Sequence, residues 1–248
     1  MRLTQKERAA RRDAFRQMRP ADKADYLWEY YKLPVMLGLT ALCLLCSAVY
    51  RQLTKKEAVL YTACINISVG ENLESKLNGG FIAASGASPK KAEVYLYQGA
   101  YLSDDPSPEN HKYGYASKLK LMAAIEAKKL DIVLMNREAY DIYSQNGYLL
   151  DLQRFFASDA ALYPLVEPYL TLNTVILEDN AIEYALHETP RYQAVTEEAV
   201  NGLDVSLFPL FREAGFPEPI YLGVVANSPR LDAAAEYIAY LAGPGDPM

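Results

Sequence analysis

The side chains able to carry chemistry are few and scattered. The chain has two histidines, His111 in a polar stretch and His187 just ahead of Thr189 and Pro190. Neither has companions at a metal-ligand spacing, so each reads as a solvated loop residue. Asp104, Asp105, Glu109 and Asn110 bring oxygen donors together, but Pro106 and Pro108 interrupt them and their spacing is not that of a calcium loop. Glu197 and Glu198 are sequence neighbours, which on a helix point to different faces. No HExxH, GxSxG, P-loop or dinucleotide glycine fingerprint occurs. Cys43 and Cys46 have CxxC spacing, yet they fall in an apolar run, where a redox or zinc site lacks exposed thiolates or further ligands. Cys64 is the third and last cysteine, so no disulfide forms within the region that follows the run. These observations nominate no catalytic residue, no metal and no cofactor, and they point to binding rather than turnover.

Tyrosine is the abundant functional side chain, with 20 copies, and Tyr95, Tyr97, Tyr101, Tyr113 and Tyr115 cluster within one short stretch. Aromatic rings bearing hydroxyls line sugar and peptide pockets, and they serve equally as core and interface material.

The elements that position these residues follow from periodicity. Residues 58–65 and 93–97 read as strands, with a helix over 72–84 between them. The polar segment 99–114 reads as a loop. Residues 118–129 have the spacing of an amphipathic helix, and Ile132, Val133, Leu134 and Met135 follow as a strand apolar on both faces, as parallel sheets require. Asn136 is placed to cap a helix over 137–145, which Asn146 and Gly147 stop. A prolyl-broken helix over 160–170, a strand over 171–177, a helix over 192–201 closed by Gly202, and a strand over 220–225 come next. Ser228 and Pro229 introduce a last helix carrying Leu231, Ala234, Ala235, Ile238 and Leu241 on one face. Helix and strand alternate, which predicts an α/β sheet.

Residues 33–50 contain no charged side chain. As a helix they rise about 27 Å, close to the hydrocarbon thickness of a bilayer. Nine Lys and Arg residues precede them and only Arg51, Lys55 and Lys56 follow closely, so the positive-inside rule predicts a cytoplasmic N-terminus. Tyr26, Trp28, Tyr30, Tyr31 and Tyr50 suit the headgroup layers. The 32-residue leader is longer than a cleaved signal allows, which predicts an uncleaved anchor in the cell membrane. Within the leader, Thr4 and Glu7 stand at capping-box spacing and Pro20 is placed to begin a second helix. The organisation expected is a basic leader (1–32), a transmembrane helix (33–50), a stalk (51–56) and an extracellular α/β domain (57–248).

Charge divides at the membrane. Residues 1–56 carry net +7 and residues 57–248 net −13, which together make the −6 of the whole chain. An acidic outer domain is a poor partner for nucleic acid or anionic lipid, while the basic leader suits the inner leaflet.

The segment 118–152 resembles the extracellular solute-binding proteins of ABC importers, in the two-lobed class that includes maltose-binding protein. The resemblance rests on Leu130, Asp131, Ile132 and Val133, the helix 137–145, and Gly147, Tyr148, Leu149, Leu150, Asp151 and Leu152. A second match runs from Gly223 through Val224, Val225, Ala226, Asn227, Ser228 and Pro229 into the helix 231–241. Together they cover about sixty residues. The resemblance implies a reduced periplasmic-binding-protein-like (type 2) α/β fold, since the chain is shorter than that class and leaves little sequence between Thr171 and Gly202 for a second lobe. The basic leader, single span and reduced domain also resemble membrane-anchored proteins of Gram-positive bacteria.

Open α/β sheets bind ligands beyond the carboxyl ends of their strands. On that rule Tyr97, Gln98, Asn136, Arg137, Asn227 and Ser228 are the candidate ligand-binding residues. Tyr97 would stack, Asn136, Asn227 and Ser228 would hydrogen-bond, and Arg137 would pair with an anionic group; capping is the competing role of Asn136 and Ser228. The expected function is capture of a small ligand (sugar, peptide or anion) for transport or sensing, with a membrane transporter or sensor subunit as partner. The alternative is an interaction or assembly subunit of a membrane complex that binds no small ligand.

Overall fold

Every residue of Ile132–Met135 is fully buried, which places this strand at the centre of a sheet covered on both faces. The structure is a computed structural model that describes residues 19–54, 56–103 and 108–243. The proposed capping box at Thr4 and Glu7, and Asp104 and Asp105, lie outside the described residues. The chain divides into two units, Met1–Lys55 and Lys56–Met248.

The first unit is a helix, α1 (Pro20–Thr54), which runs without a break through Pro34. Within it Lys32–Tyr50 is long and apolar enough to cross a membrane. The hydroxyl of Thr40 donates to the Met36 carbonyl at 2.9 Å, so a polar side chain in this apolar stretch carries its own partner. Residues 51–54 of the expected stalk continue this helix.

The second unit is built on a six-stranded mixed sheet. Its elements are β1 (Glu57–Ile65), α2 (Glu71–Ser75), a π-helical turn (Lys76–Gly80), α3 (Phe81–Ala84), β2 (Ala92–Ala100), α4 (Pro108–Glu126), β3 (Ile132–Met135), α5 (Arg137–Gln145), α6 (Leu152–Phe156), α7 (Tyr163–Val166), a 3-10 turn (Glu167–Tyr169), β4 (Leu170–Asp179), α8 (Ala181–Ala185), β5 (Ala194–Asp204), α9 (Pro209–Ala214), β6 (Tyr221–Val224) and α10 (Leu231–Ala242). The strand order is β2-β1-β3-β6-β5-β4. β1 pairs in parallel with β2 and β3, whereas β6 is antiparallel to β3, β5 to β6 and β4 to β5.

Alternation along the strands divides the core. Leu60 and Cys64 of β1, Ile132 and Leu134 of β3, and Leu222 and Val224 of β6 pack with Phe81, Phe156, Phe211 and Tyr237. Ala63, Ile65, Val133 and Met135 face the other way, onto Leu121 and Ile125 of α4 and Tyr140 and Tyr143 of α5. The π-helical turn has a local cause. Tyr240 donates to the Lys76 carbonyl at 2.9 Å, and a Cβ on Gly80 would lie 2.3 Å from that hydroxyl, so the helix yields around an inserted ring.

Three sequence expectations change. Residues 192–201 are not a helix: β5 pairs along its length with β4, from Asp179↔Ala194 to Leu170↔Leu203. Val195, Thr196 and Val200 are β-branched, and an extended partner satisfies their backbone where a short helix would stand alone. Gly202 does not end a helix; its missing Cβ would lie 2.3 Å from the Tyr140 hydroxyl, so it makes room for that ring. The stretch read as loop to Gly114 is helical from Pro108, a residue suited to a first helical turn. The last helix begins at Leu231, after Ser228 and Pro229.

Candidate functional site

Strand direction decides which candidate residues meet. The ends of β1, β2 and β3 lie together, through Ile65↔Ala100 and Ile65↔Met135, and the start of β6 joins them through Met135↔Tyr221. This carboxyl edge is built around Asn66, which has a left-handed φ of 57°. Its amide nitrogen donates to the Leu102 carbonyl at 2.6 Å and to Asn136 Oδ1 at 3.2 Å, and its Oδ1 accepts from the Leu102 amide at 2.8 Å. Asn136 Oδ1 also accepts from the Ala139 amide at 3.1 Å as the N-cap of α5. The capping role of Asn136 is therefore filled, and its oxygen is engaged twice.

Arg137 sits beside it, with about half of its side chain exposed. Its Nε lies 2.9 Å from Asp141 Oδ1, and its guanidinium lies 5.7 Å from the ring centres of both Tyr140 and Tyr221. Hydrogen bonding to Asp141 pushes its pKa further up. Tyr140 and Tyr221 stack at 4.8 Å. Below them a polar network ties α5 to the hairpin. Tyr140 donates to Asn201 Oδ1 at 3.0 Å, Asn201 Nδ2 to Ser144 Oγ at 2.8 Å, and Ser144 to the Thr174 carbonyl at 2.8 Å.

Tyr97 pairs with Ala63 in the register of the edge strand β2. Its ring packs against Tyr95 at 4.9 Å, under the Lys120 ammonium at 5.5 Å, and burial raises its pKa. Gln98 follows it and is exposed.

Asn227 and Ser228 lie at the other end of the sheet. β6 runs antiparallel to β3, so Val224 pairs with Ile132, the first residue of β3, and the chain beyond it leaves at the amino edge of the parallel strands. Asn227 Nδ2 donates to the Ile125 carbonyl at 3.0 Å. Ser228 donates at 2.6 Å to Asp131, whose carboxylate is fully buried and also accepts from the Tyr61 amide and from Arg230 Nε, each at 2.8 Å. Arg230 further donates to the Lys128 carbonyl and lies over the Tyr61 ring at 4.7 Å. This is a charged clasp on a buried carboxylate, tying the residue ahead of β3 to β1 and to the segment after β6. The six candidate residues thus fall at both ends of the sheet and do not converge on one crevice.

A groove does open at the carboxyl edge, on the face away from α5. It has a volume of about 460 Å³ and lies between the β1–α2 connection and the start of α2, with Ser68, Gly70 and Asn72, and the segment of α9 and its exit, with Leu210, Glu213 and Phe216. Lys76 Nζ meets Glu213 Oε2 at 2.6 Å in its wall. Sequence reading missed these residues because Ser68, Lys76 and Glu213 are separated by up to 145 positions and no local pattern joins them. Gly70, just ahead of a helix that begins with Glu71 and Asn72, was the one local sign of a connection at this edge.

The groove offers hydrogen-bond donors and acceptors, one charge of each sign, and apolar walls, which is equipment for binding. Among the described residues no group of three His, Cys, Asp or Glu side chains is placed to hold a metal ion. The Cys64 thiol is buried, which with Glu74 nearby raises its pKa to about 12 and keeps it protonated. His187 is exposed.

Compared with protein-family models, with curated proteins and with solved structures, the chain matches none.

Proposed function

We propose that this protein is a single-span, membrane-tethered binding protein whose acidic α/β domain faces the cell exterior and captures a small polar solute, without catalysis, for transport or sensing. In this reading the domain is a reduced, one-lobed relative of the two-lobed extracellular solute-binding proteins. The groove at the carboxyl edge carries the proposal. Its position agrees with where open α/β sheets bind ligands, and its volume lies within the range of small-molecule sites. Orientation is supported by the basic leader ahead of Lys32–Tyr50. The Lys76–Glu213 pair, with Ser68 and Asn72 beside it, suits a solute bearing both charges, and among sugars, peptides and anions a short peptide fits best.

The experiment is a thermal-shift screen of the full-length protein in detergent micelles against peptides, amino acids, sugars and anions. A peptide or amino acid is expected to raise the melting temperature. That shift should vanish in Ala214→Trp, which fills the groove from an exposed position, and persist when Asn136 and Arg137 are both replaced by alanine. No stabilising solute in any class, or one indifferent to Ala214→Trp, removes the proposal. The alternative, an interaction or assembly subunit, is favoured by a different observation, the exposed outer half of the β4–β5 hairpin.

A further inference from the structure

β5 pairs with β6 only at Leu203↔Leu222 and Asp204↔Tyr221, although β4 and β5 continue together out to Asp179↔Ala194. The hairpin is held to α5 as far as Thr174, through Ser144, and Asn173, whose Nδ2 donates to Asp141 at 2.9 Å. Beyond that it projects as an arm. Among the described residues no side-chain hydrogen bond or ion pair joins 177–195 to the rest of the domain.

The tip of this arm is ordered by its own contacts. Asn180 Nδ2 donates to Thr189 Oγ1 at 3.2 Å and to the Arg191 carbonyl at 3.0 Å, its Oδ1 accepts from the Gln193 amide at 2.7 Å, and Tyr192 donates to Asp179 at 3.0 Å. These bonds fix α8 and the turn after it, and they leave the apolar side chains outward. Leu177, Ile182, Tyr184, Leu186, Tyr192 and Val195 are all exposed, Ile182 by 73%. A polar-laced scaffold presenting six large apolar groups to solvent is not a core element, because nothing in the domain covers it. Exposed apolar side chains among polar groups mark interaction sites, and a tip already tied by its own hydrogen bonds has less conformational freedom to lose on docking.

Charge selects the partner. From Leu177 to Glu198 the chain carries six carboxylates, Glu178, Asp179, Glu183 and Glu188 on the arm and Glu197 and Glu198 at its base, against one arginine, Arg191, and no lysine. Anionic headgroups would repel these carboxylates. A symmetric dimer through the arm would bring like carboxylates together. We propose that the arm is the docking element for a second protein, one whose recognition surface is an apolar groove bordered by Lys and Arg. This goes beyond solute capture and does not depend on it, since the groove and the arm share no residue.

The test is site-specific photocrosslinking in intact membranes. The full-length chain carries p-benzoylphenylalanine in place of Ile182, and separately in place of Leu186, with exposed Lys90 on the opposite side of the sheet as the control position. Both arm probes are expected to give an adduct with the same second protein, absent from the control, and peptide mapping should place the crosslink in a segment of net positive charge with apolar residues. Adding Glu183→Lys with Glu188→Lys should lower the yield at least about tenfold. An adduct with another copy of the chain, with lipid or with a neutral or acidic segment overturns the inference. So does a yield unchanged by charge reversal, or no adduct. If the charge reversal abolishes the protease-resistant domain, Glu197→Lys with Glu198→Lys takes its place at two exposed positions of β5.

Discussion

Ser228 Oγ reaches Asp131 across 97 positions of sequence and donates a 2.6 Å hydrogen bond to a carboxylate with no solvent exposure. With the Tyr61 amide and Arg230 completing the set, the carboxylate is fully partnered in a region that could not otherwise hold its charge. Replacing Arg230 by alanine leaves that charge buried without its cation and is expected to cost about 3 kcal/mol of unfolding free energy. Ser228→Ala removes one of three donors and should cost about 1 kcal/mol. Urea unfolding measures both, and an Arg230→Ala cost no larger than that of Ser228→Ala would refute the clasp.

Gly202 is a space requirement rather than a turn. A Cβ there would lie 2.3 Å from the Tyr140 hydroxyl and 2.4 Å from its ring. Gly202→Ala is expected to destabilise by about 1–3 kcal/mol through overpacking. Because the clash is with one ring, a double-mutant cycle with Tyr140→Ala should show a coupling energy of at least about 1 kcal/mol. Additive costs would mean that the strain lies elsewhere.

Asn136→Ala tests what that residue does. It removes the α5 cap and the hydrogen bond from Asn66, so a loss of about 1–2 kcal/mol is expected in chemical denaturation. Solute affinity should be unchanged, because the groove lies on the other face of the sheet. An affinity loss with no change in stability would return Asn136 to the ligand-binding set.

Stability should fall at alkaline pH. Burial, with a smaller push from Glu74, raises the Cys64 thiol from 9.0 to about 12, and burial also raises Tyr140, Tyr143 and Tyr237 above their ordinary 10.0. A pKa higher in the folded state means that the folded chain holds the proton more tightly. Its stability is complete below the unfolded pKa and is lost as pH rises from about 9 toward 12. Melting temperature should therefore decline above about pH 9. Cys64→Ala should flatten the slope between pH 9 and 10, by at most about 1.4 kcal/mol per pH unit.

Orientation has a direct readout. Cys64 is 1% exposed, so a cysteine introduced at exposed Ser88 reports for the domain. A membrane-impermeant maleimide is expected to label Ser88→Cys in intact cells. Labelling that requires lysis would put the domain inside.

Local pattern reached some elements and stopped at others for definable reasons. The apolar run Ile132–Met135, the Asn136 cap and the stop at Asn146 are set by neighbours within a few residues, and each stands where periodicity predicts. β5 reads as a helix in sequence because alanine and paired glutamates suit one, and only its register with β4 makes these residues a strand. The ligand-binding candidates depended on strand direction. Asn136 and Asn227 both follow a buried strand, so they look equivalent in sequence, but β3 and β6 run in opposite directions and carry them to opposite edges.

By itself the sequence determined the apolar span, the division of charge on either side of it and the α/β alternation, because hydropathy and periodicity are properties of adjacent residues. Tertiary structure alone decided the groove between Ser68 and Glu213, the clasp between Asp131 and Ser228, and the arm beyond Thr174. Each of these depends on a contact between residues far apart in the chain, and only the directions of the strands bring those residues together or leave them uncovered.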